Sequence, residues 1–190
     1  MTSKHDYANA TADSGGLSPA VLRAFLHWWE RLAAEDAAGL DKADRAVLRR
    51  CDTPTAVACT GAYQRAYRCM AAAHEGEPWT PWQQDRLAAL VGLAAHIRTR
   101  GDHDLPTELR LPMEAPRVSE LRFRRLIESP DVDTLFVGVR RVLPLIGHHV
   151  DLFSLARDLW RWNDQVRKRW TYAYYDTTAP RTRVAASSDA

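Results

Sequence analysis

The stretch Val132–Gly147, VDTLFVGVRRVLPLIG, decides how this chain folds. Its apolar residues Val132, Leu135, Phe136, Val139, Val142, Leu143 and Ile146 recur at intervals of three and four, which lines them up on one face of an α-helix. Gly147 supplies the left-handed stop that ends many helices, and Pro144 is expected to bend the last turn. Arg140 and Arg141 fall beside the apolar line, where they can point outward.

The same reading extends in both directions. Ser18-Pro19 is an N-cap followed by proline at the first helical position, and Leu22, Phe25, Leu26, Trp29, Leu32 and Ala33 then share one face. Trp28 lies off that stripe and is assigned to a second packing contact. A short helix is expected over Lys42–Arg50. Thr53-Pro54 repeats the cap-and-proline device to start a helix running to about Ala73, and Thr80-Pro81 starts another that places Leu87, Leu90, Val91, Ala94 and Ile97 together and ends near Gly101. Ser119 is read as the cap of a helix with Phe123, Leu126 and Ile127 inward, ending at Ser129-Pro130. Asp151 is read as the cap of one final long helix with Leu152, Leu155, Leu159, Trp162, Val166 and Trp170 inward.

No segment alternates with period two, so the expected fold is all-α: a helical bundle of about seven to nine helices in two packed halves. Residues 102–118 contain Pro106, Pro112 and Pro116 without periodicity and are read as a long connection. The halves are then an N-terminal bundle over 17–104 and a C-terminal bundle with a basic face over 105–176. The ends, 1–16 and 177–190, are polar and small and are expected to be disordered.

Charge is polarised along the chain. Residues 117–170 hold eleven Lys/Arg against seven Asp/Glu, an excess of four positive charges in a chain whose formal total is +2. Only Lys4, Lys42 and Lys168 are lysines among 26 basic residues. Arginine's planar fork suits bidentate phosphate contact, although a GC-rich genome explains most of the skew. Such asymmetry points to a nucleic-acid or acidic-protein partner, with a solvated charged face as the alternative. Cys51, Cys59 and Cys69 form no CxxC and cannot all pair, which fits a reduced cytoplasm, and no run of eighteen apolar residues or signal core is present.

Motifs for catalysis are missing. His148, His149 and Asp151 form a polar cluster without HExxH spacing and are read as a loop with two solvated histidines; His96 and His103 flank a helix end, where an imidazolium complements the dipole. There is no G-x-S-x-G, and Gly15-Gly16 is not followed by GK[ST]. Asp158 and Asp164, six apart, point to opposite sides of a helix and make a poor Mg²⁺ pair. No catalytic residue, cofactor or metal is therefore expected. The cations offer more. Arg122 and Arg125 share a face, Arg140 and Arg141 flank a stripe, and Arg167, Lys168 and Arg169 close the chain's last helical pattern. Trp160 lies off the inner line and is the tryptophan read as able to stack on a base.

The order of Ala46–Arg50 (AVLRR), Arg117–Ile127 (RVSELRFRRLI), Val139–Leu145 (VRRVLPL), Leu155–Trp170 (LARDLWRWNDQVRKRW) and Tyr174-Tyr175 resembles the CasB family over about residues 20–178. Members of that family are the small subunits of the type I-E CRISPR surveillance complex, Cascade. The resemblance implies a non-catalytic, cytoplasmic, all-helical subunit that is present as a pair. Its implied partners are the CRISPR RNA-bound backbone subunits, the large subunit, and the target and displaced DNA strands, with no membrane. It implies phosphate contacts at Arg50, Arg122, Arg140, Arg141 and Arg167; Arg125, Lys168 and Arg169 are added from charge and position. Sequence choice would then lie in RNA–DNA pairing, leaving this subunit to hold backbones. A helical interaction module whose arginines dock acidic proteins is the alternative reading, and a metal enzyme built on His148, His149 and Asp151 is a distant third.

Overall fold

The structure, a computed structural model, describes residues 16–34, 39–75, 78–112 and 114–176. The remaining residues, which include all of the two expected tails except Gly16, lie outside the described residues. Local capping writes several of the helix starts. Ser18 accepts a hydrogen bond from the Val21 amide (3.3 Å) and opens α1, Pro19–Ala33. After α2, Gly39–Arg50, Thr53 accepts from the Ala56 amide (3.0 Å) to open α3, Pro54–Ala58. Thr60 does the same for α4, Gly61–Ala71, and Thr80 for α5, Pro81–Ala94, where the Gln83 side chain accepts in return from the Thr80 amide (2.8 Å).

The second half continues with β1, Thr99–Arg100; α6, Leu105–Arg110; α7, Glu120–Ile127; α8, Val132–Val142; a 3-10 turn, Leu143–Ile146; β2, His149–Val150; α9, Leu152–Trp160; and α10, Asp164–Tyr175. Strands β1 and β2 are two residues each and pair in parallel, Thr99 with His149 and Arg100 with Val150. The fold is all-α, with ten α-helices among the described residues. None of these helices is long and apolar enough to cross a membrane.

Helix α5 sits in the middle. Every residue from Leu87 to Ala94 is buried, so this stretch of the helix is apolar all round rather than striped, the pattern of a helix surrounded by others. It packs against α3, α4, α8 and α9, and α1 covers α4 while α10 covers α6. The contact is tight where Gly92 lets Val57 of α3 and Phe136 of α8 approach: a Cβ there would lie 2.7 Å from Val57 Cγ2 and 2.8 Å from Phe136 Cε2.

Five expectations are corrected. The helix from Pro54 does not run on to Ala73 but breaks at Cys59-Thr60, because Thr60 caps a fresh start. The helix from Pro81 ends at Ala94, ahead of Gly101, and the chain then pairs as β1. Residues 102–118 are not one structureless connection: Asp104 accepts from the Thr107 amide (3.2 Å) and opens α6, with Pro106 in the first turn where proline is tolerated. Ser119 occupies the N-cap position of α7 but its side chain makes no capping bond. The final helix is two, separated at 161–163, with Asn163 accepting from the Gln165 and Val166 amides (both 3.0 Å) to start α10. At the end of α8, Gly147 takes φ +68° as expected, and Pro144 falls within the 3-10 turn.

Gly92→Ala is expected to destabilise the protein by about 1–3 kcal/mol through overpacking, read as a lowered urea midpoint at unchanged slope. An unchanged midpoint would mean that α3 and α8 can yield around the new methyl group.

Candidate nucleic-acid interface

Helices α7 and α8 pack across Leu126 and Gly138, so closely that a Cβ on Gly138 would lie 2.6 Å from Leu126 Cδ2. Beside that contact opens a cleft of about 690 Å³, with Leu126, Val137, Val142 and Leu145 contributing apolar walls. Arg122 and Arg125 from α7 and Arg141 from α8 reach the same cleft. All three are exposed, and none of their guanidinium groups makes an ion pair or hydrogen bond with a described residue. Among the described residues Asp133 is the one carboxylate in the lining, and together they give the cleft a net positive charge.

The other expected cations are placed differently. Arg140 is only 20% exposed; its Nη1 donates to Asp52 Oδ1 (3.0 Å), its Nη2 to the Arg49 carbonyl (3.4 Å), and its guanidinium lies over the Phe136 ring. Arg167 donates to Asp164 Oδ1 (2.9 Å) and to the Ser129 carbonyl (2.7 Å), and lies over Trp162. Arg169 is ion-paired with Asp158. Arg50 folds back on its own helix, Nε to the Ala46 carbonyl (2.9 Å), with its end exposed, and Lys168 is exposed on α10. The structure therefore brings Arg122, Arg125 and Arg141 together and leaves Arg50, Arg140, Arg167, Lys168 and Arg169 apart from that cleft.

Asp158 explains where Arg169 goes. The carboxylate is 1% exposed and accepts from Trp170 Nε1 (2.6 Å), from Arg157 Nε (3.1 Å) and from Arg169. A buried carboxylate is tolerated when it is paired and hydrogen-bonded in this way. The group read as half of a poor metal pair is thus the clasp between α9 and α10. Two further bonds pin α10: Trp162 Nε1, just ahead of it, to the Ser129 carbonyl (3.0 Å), and the Tyr174 hydroxyl to the Val118 carbonyl (2.7 Å).

One tryptophan expectation and two histidine expectations change. Trp160 is buried between Trp79 and Trp82, with ring centroids at 6.3 and 6.0 Å, while Arg86 donates to its carbonyl (3.0 Å); it has no face free for a base. Trp28, as expected, packs in the core. His148 and His149 are half-buried rather than solvated, His149 Nδ1 lying 3.0 Å from the Thr99 hydroxyl. His96 is no imidazolium at a helix end: burial first, and the neighbouring Arg140, Arg49, His148 and Arg45, push its pKa down to about 4. Among the described residues no group of three or more His, Cys, Asp or Glu is placed to hold a metal ion.

Thr53 and Thr134 also line the cleft, and the sequence gives no sign of it. Thr53 declares itself locally only as a cap, and nothing nearby signals that the start of α3 meets α7 and α8.

Fold and cleft together define an all-helical protein in which three exposed arginines, Arg122, Arg125 and Arg141, converge beside one helix pair. Residues 44–175 match the family described as CRISPR-associated protein Cse2, and the chain belongs to that family, the CasB small subunits of type I-E Cascade. A similar fold occurs in a chain of the crystal structure of E. coli Cascade bound to a PAM-containing dsDNA target with a 32-nt spacer. The TM-score is 0.61 at 20% identity, over 80% of this chain and 92% of that one. No curated protein matches the chain.

Removing the Asp158 carboxylate leaves Trp170 Nε1 without its acceptor and Arg169 without its counter-ion. Asp158→Ala is expected to cost about 3–5 kcal/mol, measured by chemical denaturation. A loss below about 1 kcal/mol would show that α9 and α10 are held chiefly by their apolar contacts.

Proposed function

We propose that this Cascade small subunit is non-catalytic and grips the phosphodiester backbones of the target and displaced strands without reading bases, prolonging the open R-loop. The observation that carries the reading is the convergence of Arg122, Arg125 and Arg141, all unpaired among the described residues, on one cleft. Free guanidiniums neutralise phosphates at no cost in broken internal pairs, and they release condensed counterions as they do so. Exchange of a DNA duplex for an RNA–DNA hybrid is close to balanced, so a few backbone contacts can decide whether the loop persists. Arg50 and Lys168, exposed elsewhere, would extend the track, whereas Arg140, Arg167 and Arg169 would have to exchange protein partners for phosphates. The proposed partners are a second copy of the chain, the RNA-bound backbone subunits and the large subunit, with the halves 17–104 and 105–176 as its two bodies and the cytoplasm as its location. The structure of E. coli Cascade bound to its dsDNA target supports such an assembly by likeness of fold.

The apolar wall of the cleft favours a second reading, in which an acidic segment of a partner protein docks there. Binding of single-stranded DNA by the full chain, and by Cascade assembled with it, separates the two. The triple change Arg122→Gln, Arg125→Gln and Arg141→Gln is expected to weaken DNA binding and to flatten the plot of log affinity against log salt by about 2, at roughly 0.7 for each phosphate no longer neutralised. Unchanged DNA affinity and slope in both states, with loss of assembly instead, would transfer the cleft to a protein partner.

A further inference from the structure

A second group of cations gathers on another side of α8. Arg45 of α2 donates to the carbonyls of Ala95 (3.1 Å) and Ile97 (3.0 Å), just beyond α5. Arg140 of α8 donates to the Arg49 carbonyl near the end of α2 (3.4 Å). The Arg98 amide donates to the His148 carbonyl (2.9 Å). Three helix ends thus meet, and their negative dipole ends account for cations being drawn there.

They do not account for all of the charge. Arg45, Arg49, Arg98, Arg140, His96 and His148 all belong to the group, and the charges that act on His96 and His148 are cationic. Asp52 is the facing carboxylate, and Arg140 already holds it; Cys51 beside them carries a thiol whose pKa burial pushes up, so it supplies no negative charge at neutral pH. The guanidinium groups of Arg49 and Arg98 are exposed and make no hydrogen bond or ion pair with a described residue. Three buried nitrogens, Arg140 Nε, His96 Nε2 and His148 Nδ1, have no partner among the described residues. Arg140 Nε is a donor in every protonation state, and buried donors are rarely left without an acceptor.

We infer that Arg49 and Arg98, backed by Arg45, form a phosphate-oxyanion site distinct from the arginine cleft, and that an anion bound there brings a proton onto His148. The ligand chemistry is a phosphate group, carried either on a nucleic-acid backbone or on a small polyphosphate; the strand-borne form rests on the function proposed above. The proton follows from the field. Burial first, and then Arg98, Arg49 and Arg45, hold the His148 pKa below its ordinary range, so the ring is neutral at pH 7. An anion between Arg49 and Arg98 cancels those charges and raises the ring's affinity for a proton. Because the complex then holds more protons than the free protein, binding strengthens as pH falls, by at most about tenfold per pH unit for one proton taken up.

Titration calorimetry of the full chain with inorganic tripolyphosphate, and separately with a short oligo-dT, in buffers of different ionisation enthalpy, tests this. Proton uptake on binding is expected, with affinity rising several-fold between pH 7.5 and 5.5, inside the ceiling of about tenfold per pH unit. Arg49→Gln with Arg98→Gln should abolish that component. His148→Asn, which keeps a residue at ease at the observed φ of 60°, should remove the pH dependence and leave binding at pH 7.5. Uptake with both ligands assigns the site to the phosphate group itself, and uptake with oligo-dT alone to a strand-borne phosphate; either supports the site. Affinities untouched by the double arginine change, or proton uptake that survives His148→Asn, would overturn it. The triple cleft variant should retain tripolyphosphate binding, so failure of the cleft reading leaves this result standing, and the reverse.

Discussion

The enclosure of α5 from Leu87 to Ala94 is the constraint on which the rest of the molecule depends. A helix buried along every residue from Leu87 to Ala94 has no solvent face, so its neighbours must close round it, and the small side chains of Ala88, Ala89 and Gly92 set how near they come. Close-packed interiors respond to single methyl groups, which makes the position of α8 a consequence of Gly92 as much as of its own apolar stripe. The cleft follows in turn, because Arg141 is delivered by α8 and meets α7 only where Gly138 admits Leu126.

Arginine does two jobs in this chain, and burial separates them. Asp158 is out of water and needs the donors that Arg157, Arg169 and Trp170 supply, so these side chains belong to the fold. Pairs such as Arg124 with Glu120, both more than half exposed, contribute little to stability and are open to exchange. Arg140 stands between these cases: one nitrogen is bonded to an exposed Asp52, another to a carbonyl, and its Nε has no partner among the described residues.

Helix identity is legible wherever local chemistry declares it. Ser18-Pro19, Thr53-Pro54 and Thr80-Pro81 each open a helix at the residue expected, and the stripe of Val132–Ile146 lies inward as read. Breaks are harder. The line Leu155, Leu159, Trp162, Val166, Trp170 keeps helical spacing straight through the turn at 161–163, because Trp162 stays buried while the backbone changes course. Pro106 has the look of a breaker, although its position in a first turn makes it a starter. For the site, Arg122 and Arg125 can be paired from their spacing alone, whereas the fates of Arg140 and Arg167 turn on Asp52 and the Ser129 carbonyl, 88 and 38 residues away, which no local pattern encodes.

Capping by Ser, Thr, Asp or Asn carries a consequence for how far such a chain can drift. A helix whose beginning is fixed by one short polar side chain keeps its phase while the letters along its body change, provided the inward positions stay apolar. That is one physical route by which two chains that agree at one residue in five can still share a trace. It also frees the outward positions, so the charged exterior can be rewritten for a different neighbour without the scaffold having to be solved again.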